Sequence, residues 1–263
     1  MTDLGHAPPS SSPSAAVDLY LITTKTAEAE IDVLDALQSA LSPDELARLQ
    51  RLHRPAVWRQ YILSRGCLRH LLSRYTGQAP NALTFAYGPY GKPSLGPNRP
   101  GVTPVFNLSH SGARLLIGVS SAPMVTTVGV DIEVMRSVHC LSGLCRRCLT
   151  PAEAQTVLAL PPPQADYRFL AYWTGKEAWL KAQGLGIADS MQGLELGLKP
   201  EALPAKISAA TIIHPTGSHQ VLYQWQPEAD YLAAIALQAD RPAQLRFQLQ
   251  QMTPLELLAN PLP

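Results

Sequence analysis

A chain of 263 residues, 46% hydrophobic and 16% charged, is long enough for one large domain or two small ones and can bury an ordinary core. Its 21 basic side chains nearly balance 20 acidic ones, so the formal charge of +1 excludes a global field for nucleic acid and any basic surface must be local. No apolar run is long enough to span a bilayer, and the start lacks the basic-then-apolar order of a secretion signal, which predicts a cytoplasmic protein with no membrane segment.

Residues 1–16, with Pro8, Pro9 and Pro13 among serines and alanines, read as a disordered leader. A strand is expected over 17–23 and a helix over 28–41. Ser42-Pro43-Asp44-Glu45 then starts another helix, with Ser42 as N-cap, Pro43 at the first helical position and Glu45 two residues further in. A long helix over 56–75 turns Val57, Tyr61, Leu68, Leu71 and Leu72 inward and leaves an arginine-rich face outside. Short strands follow at 83–87, 105–108, 115–120 and 125–134, with a Gly-Pro-Tyr-Gly turn at 88–91. A second helical block spans 138–182, interrupted by a capped start at Thr150-Pro151-Ala152-Glu153 and by three consecutive prolines. Segments 194–198, 205–213, 220–226, 231–237 and 245–250 alternate like strands of an antiparallel sheet. This order predicts an α+β fold built as a pseudo-dimer of two similar halves, 17–122 and 123–240, with a cleft between them and an extension over 241–263. Cys67, Cys140, Cys145 and Cys148 read as reduced thiols, since Cys140, Cys145 and Cys148 lack the second ligand pair of a zinc site.

Chemistry concentrates in two carboxylate-bearing segments. In Gly129-Val130-Asp131-Ile132-Glu133, strand alternation puts Asp131 and Glu133 on one face roughly 7 Å apart. In Trp173-Thr174-Gly175-Lys176-Glu177-Ala178-Trp179-Leu180-Lys181, helical spacing puts Trp173, Glu177 and Lys181 on one stripe. Solvated acids and an ordinary helix ion pair would show the same spacing. The apolar flanks favour a site near the core, where carboxylates need a partner, and the three acids suit a magnesium ion, with manganese as the alternative. Upstream, Phe106-Asn107-Leu108-Ser109-His110-Ser111-Gly112 offers hydroxyls and an imidazole. Gly91-Lys92-Pro93 presents a lysine between a flexible and a locked residue, and a plain exposed turn lysine is the other reading. Gly184-Leu185-Gly186 follows a helix and reads as its C-cap.

Taken in chain order, 91–93, 106–111, 129–133 and 173–181, these four segments resemble the signature of the 4′-phosphopantetheinyl transferases, specifically the monomeric surfactin-synthetase type, over about residues 17–237. The resemblance implies coenzyme A in the cleft and transfer of its phosphopantetheine to a carrier-protein serine, releasing adenosine 3′,5′-bisphosphate. It makes Asp131, Glu133 and Glu177 the metal ligands, puts Lys181 and His110 on the pyrophosphate, lines the cofactor with Ser109 and Lys92, and makes Glu177 the base. Among the N-terminal arginines, Arg59 and Arg65 are expected on the 3′-phosphate and the others on solvated faces. A basic and apolar stretch containing Leu141, Leu144, Arg146 and Arg147 is expected to dock an acidic acyl or peptidyl carrier protein. The alternative is a non-catalytic relative that binds coenzyme A or the carrier. A different phosphoryl transferase would be expected to carry a P-loop or a kinase-type glycine loop, and neither pattern occurs.

Overall fold

The computed structural model describes residues 16–24, 30–96, 103–186, 191–198, 203, 206–212 and 220–259. The expected leader lies outside them except for Ala16, the first residue of strand β1 (Ala16–Thr23). Helices α1 (Glu30–Ser39), α2 (Pro43–Leu49) and α3 (Pro55–Thr76) follow, then a small hairpin of β2 (Phe85–Tyr87) and β3 (Pro93–Leu95), and then β4 (Val105–Ser111) and β5 (Arg114–Ser120). The chain continues through β6 (Val125–Val134), α4 (Leu141–Cys148), α5 (Pro151–Leu158), α6 (Gln164–Gln183), β7 (Leu196–Gly197), β8 (Ser208–Ile212), β9 (Gln220–Glu228) and β10 (Tyr231–Ala239). It ends with β11 (Arg246–Met252) and α7 (Pro254–Ala259).

Two sheets stack between two layers of helices. One runs β11-β1-β5-β4 and the other β6-β10-β9-β8-β7. Both faces of β1 are buried, so its alternation serves two cores. Tyr20 and Ile22 pack with Leu37 of α1, Leu68 and Leu72 of α3, and Ile117 of β5. Val17, Leu19 and Leu21 face the other sheet and meet Val128, Val130, Ile132 and Ile235. On the far side of the second sheet, Leu232, Ala234 and Ala236 of β10 pack with Phe169, Leu170 and Ala178 of α6.

Three expectations change. Val57 is 41% exposed, because the first turn of α3 forms the wall of a groove instead of covering the sheet; Ile62, Leu63, Cys67, Leu68, Leu71 and Leu72 do that. Arg69 is 1% exposed and does not belong to a solvated face. Its Nε donates to Glu45 Oε2 at 2.6 Å and its NH1 to the carbonyls of Pro80 at 2.7 Å and Leu83 at 3.0 Å, so the guanidinium ties α2 to the chain entering β2. The last strand does not extend the antiparallel sheet. β11 returns to the first sheet and runs parallel to β1 from Ala16 opposite Arg246 to Ile22 opposite Met252. Alternation identifies a strand but not the edge it joins, and here β1 supplied the edge. Helix α7 then tucks Leu257 into the core beside α3, where Arg74 donates to its carbonyl at 2.7 Å.

Candidate active site between two sheets

The site begins where β6 and α6 touch. A β-carbon on Gly129 would fall 2.1 Å from the Ala178 carbonyl oxygen and 2.2 Å from the Ala182 nitrogen, so only glycine permits this approach of strand to helix. Along the same face of β6, Asp131 and Glu133 follow at intervals of two, toward the helix that carries Glu177 and Lys181. Helix α6 stops at Gly184, whose φ of 67° is the left-handed cap expected for this sequence.

Strand β4 lies beside β6 and is joined to it by side chains. Asn107, Ser109 and Ser111 alternate with Leu108 and His110, which places the three short polar groups on the β6 side. Asn107 Oδ1 accepts from the Val130 amide at 3.0 Å. Ser111 Oγ donates to Glu133 Oε2 at 2.9 Å and accepts from the Val134 amide at 3.1 Å. Between them, Ser109 Oγ donates to Asp131 Oδ1 at 2.7 Å. The Lys181 ammonium reaches the same point, 2.7 Å from Asp131 Oδ1 and 3.0 Å from Ser109 Oγ. Three of the sequence segments therefore meet on one carboxylate oxygen.

Electrostatics at this junction are strained. Asp131 and Glu177 are each 4% exposed. Burial raises the Asp131 carboxyl above its usual range, against the attraction of Lys181. Burial likewise pushes Glu177 up to about 7, with the Asp131 charge adding to it, Lys181 opposing and Glu133 adding a little more. Glu133 is raised by burial and then by Asp131, while Ser111 and Arg136, 3.7 Å away, pull it down. The Asp131 charge thus raises the proton affinity of both glutamates and Glu133 raises that of Glu177, as expected of acids confined to one place. Asp131 Oδ2 is buried and makes no hydrogen bond. Among the described residues no three His, Cys, Asp or Glu side chains close to metal-ligating distance, so the acids share a neighbourhood without forming a finished coordination shell.

On the other face of β4, His110 looks into a groove of about 620 Å³ walled by α3 and the end of α2. Arg48 and Arg65 line it together with Tyr61, their guanidinium carbons 5.7 and 6.0 Å from the ring centre. Arg65 NH1 is buried without a hydrogen bond. His110 reaches solvent, yet the packed groove floor partly desolvates its ring and, with the Lys181 ammonium, lowers its pKa. Of the two arginines singled out in the sequence, Arg65 lines this groove and Arg59 does not. Arg48 lines it too, and no spacing in the sequence separated it from its neighbouring arginines.

Ser109 and Lys92, expected along a cofactor, take protein partners in this structure. Ser109 is 8% exposed and serves Asp131. The Lys92 ammonium donates to the backbone carbonyls of Val128 and Ala182, at 2.9 Å each. Lys176, beside Glu177, went unassigned in the sequence. It is fully buried and donates to Glu153 at 2.5 Å and to the carbonyls of Met191 at 2.9 Å and Cys148 at 3.2 Å. Glu153 was legible as the capping residue of α5, and it does accept from the Thr150 amide at 2.8 Å. Its further bonds, to Lys176 and to the Leu196 amide at 2.8 Å, left no local signal. All four cysteines are free thiols, and Cys140 is the exposed one.

One buried and one half-buried acid on a strand, faced by a helix bearing a third acid and a lysine and flanked by an arginine-lined groove, make up the candidate site of this α+β protein. Residues 127–236 match the profile of the 4′-phosphopantetheinyl transferase superfamily. The chain is 37% identical over 204 residues to the 4′-phosphopantetheinyl transferase HetI of Nostoc sp., covering 78% of this chain and 81% of that one. It is 25% identical over 154 residues to the 4′-phosphopantetheinyl transferase Sfp of Bacillus subtilis, covering 59% and 65% respectively. A solved holo-(acyl-carrier-protein) synthase from Bacillus anthracis in complex with CoA aligns at 21% identity with a TM-score of 0.37, over 44% of this chain and 97% of that one. The chain belongs to the 4′-phosphopantetheinyl transferase superfamily. Among the described residues no helix is long and apolar enough to cross a membrane.

Proposed function

We propose that the acidic junction and the adjoining groove carry out the family's reaction on this chain: transfer of 4′-phosphopantetheine from coenzyme A to a serine hydroxyl of an acyl or peptidyl carrier protein. The observation that carries the proposal is the meeting of Lys181, Ser109 and Asp131 on one oxygen beside a glutamate held near neutrality. A serine hydroxyl is a poor nucleophile at neutral pH, and Glu177, pushed up to about 7, is matched to the task of taking its proton. The serine oxygen then bonds to the phosphorus that carries pantetheine. The bond from that phosphorus to the bridging oxygen breaks, and its electron pair leaves with adenosine 3′,5′-bisphosphate. Lys181 and His110, from the two faces of β4, would meet the pyrophosphate oxygens as charge moves onto the leaving group.

Asp131 Oδ2 supports a divalent cation here, because a buried carboxylate oxygen without a hydrogen bond is the donor a hard cation takes. Asp131, Glu133 and Glu177 would hold magnesium or manganese, and the ion would neutralise the pyrophosphate. The groove suits the 3′-phosphate end of coenzyme A, with Arg65 NH1 as donor and Arg48 and His110 beside it. Arg59 remains a second candidate outside the lining. For the carrier, the exposed Arg146 and Arg147 on α4 supply positive charge, while Leu141 and Leu144, half-buried against the adjacent core, anchor the helix that presents them. The reading includes a cytoplasmic monomer, and the four free thiols suit the reducing compartment it names.

The test is to incubate the protein with coenzyme A, magnesium and several apo carrier proteins and to weigh the carriers. Gain of one phosphopantetheine is expected from the wild type. Glu177→Gln should lower the rate on the order of 10²–10⁴-fold with the fold intact, and retained transfer would remove Glu177 as the base.

A further inference from the structure

The junction depends on how β6 and α6 are set against each other, and a side chain that bonds to both comes from neither. Lys92 stands in the turn between β2 and β3, 36 residues before Val128 and 90 before Ala182, and its ammonium holds one carbonyl of each. Val128 immediately precedes Gly129, the point of backbone contact, and Ala182 immediately follows Lys181. The Lys92 stem lies against the helix end, where a β-carbon on Gly184 would come within 3.6 Å of Lys92 Cδ. Carbonyls in the last turn of a helix lack partners within it and carry its negative dipole end, so an ammonium there satisfies both needs.

We infer that Lys92 is a positioning residue for the transfer reaction, one that locks the last turn of α6 to β6 through the Val128 and Ala182 carbonyls and so sets the distances among Asp131, Glu177 and Lys181. This rests on the reaction proposed above. Both ammonium bonds run to backbone, and burial along the Lys92 stem lowers its proton affinity to about 8, as expected of an amine enclosed by protein. The inference separates Lys92 from the phosphate-contacting lysine, Lys181, although both lie near the same helix end.

The experiment compares Lys92→Met, which keeps the stem and loses the donors, with Lys92→Arg, which keeps charge and donors. Amide hydrogen exchange on the ligand-free protein reads the clamp. Exchange in the last turn of α6 and at Val128 to Val130 should quicken by about tenfold or more in Lys92→Met. Measured well below its melting temperature, Lys92→Met should lose on the order of 10² in kcat, the penalty of misplaced groups. Its calorimetric affinity for adenosine 3′,5′-bisphosphate should stay within about twofold of the wild type, and Lys92→Arg should recover most of kcat. A loss of about tenfold or more in that affinity with unchanged exchange would make Lys92 a phosphate ligand and overturn the proposal. Quickened exchange with wild-type kcat would overturn it as well, leaving a structural clamp only. If the wild type itself modifies no carrier, the reaction fails and the positioning role with it, whereas the exchange result still decides whether Lys92 holds the helix to the strand.

Discussion

Lys181 and Asp131 face each other from helix to strand, ammonium to carboxylate at 2.7 Å, 50 residues apart in sequence. The pair is the hinge of the site's electrostatics. Asp131 is 5% exposed and Lys181 28% in side-chain terms, so the acid is committed to the interior while the lysine keeps part of its surface open to solvent. Asp131→Asn keeps the shape and Ser109's hydrogen bond but removes the charge that Lys181 and a divalent cation would share. We expect a loss on the order of 10²–10³ in kcat, and a parallel loss of manganese binding measured without substrate.

The two lysines of the α6 motif should separate cleanly. Lys181→Met should depress transfer and cost less stability in urea than Lys176→Met, because Lys181 is 28% exposed and Asp131 keeps its hydrogen bond from Ser109. Lys176→Met strands the Glu153 carboxylate in the interior, and loss of one partner of such a pair costs about 3–5 kcal/mol. Replacing Glu153 by glutamine in the same chain should restore part of that loss, a coupling read from a double-mutant cycle.

In the other half, Glu45 and Arg69 form a second buried pair, 2% and 1% exposed. Glu45→Ala leaves a guanidinium facing Phe85, with its centre 4.9 Å from the ring, and only carbonyl partners. Destabilisation of about 3–5 kcal/mol is expected by denaturant titration, without change in the affinity for coenzyme A of the protein that remains folded.

Binding in the groove can be read with two ligands. Arg65→Ala and Arg48→Ala should raise KM for coenzyme A by about tenfold each, the effect of one charge-assisted contact, and leave KM for 3′-dephospho-coenzyme A almost unchanged. Equal effects on both ligands would place the 3′-phosphate elsewhere, with Arg59 next to be tested.

Lys92 also predicts a pH dependence of stability. Burial pushes its amine down to about 8, below the ordinary value near 10.5. Between those values the unfolded chain binds a proton that the folded chain has released, so this group's contribution to stability rises with pH across that window. Below pH 8 the burden of burying the ammonium is present in full. Urea unfolding of wild type and Lys92→Met at pH 7.5, 9 and 10 should show the wild type gaining on the variant as pH rises.

What the sequence determined by itself was periodic and local. Alternation at two put Asp131 and Glu133 on one face of β6, spacing at four put Glu177 and Lys181 on one face of α6, and the capping residues Ser42, Thr150 and Gly184 marked helix ends, because side-chain direction follows backbone repeat. The four motif segments carried the family as well. Tertiary structure alone decided which distant groups those faces meet. Nothing near Lys92 announces the carbonyls of Val128 and Ala182, nothing near Lys176 announces Glu153, and the alternation of β11 does not say that it lies parallel to β1. Such partners are set by packing across layers, where a buried charge takes whichever donor or acceptor the fold brings within reach, and local periodicity holds no record of that choice.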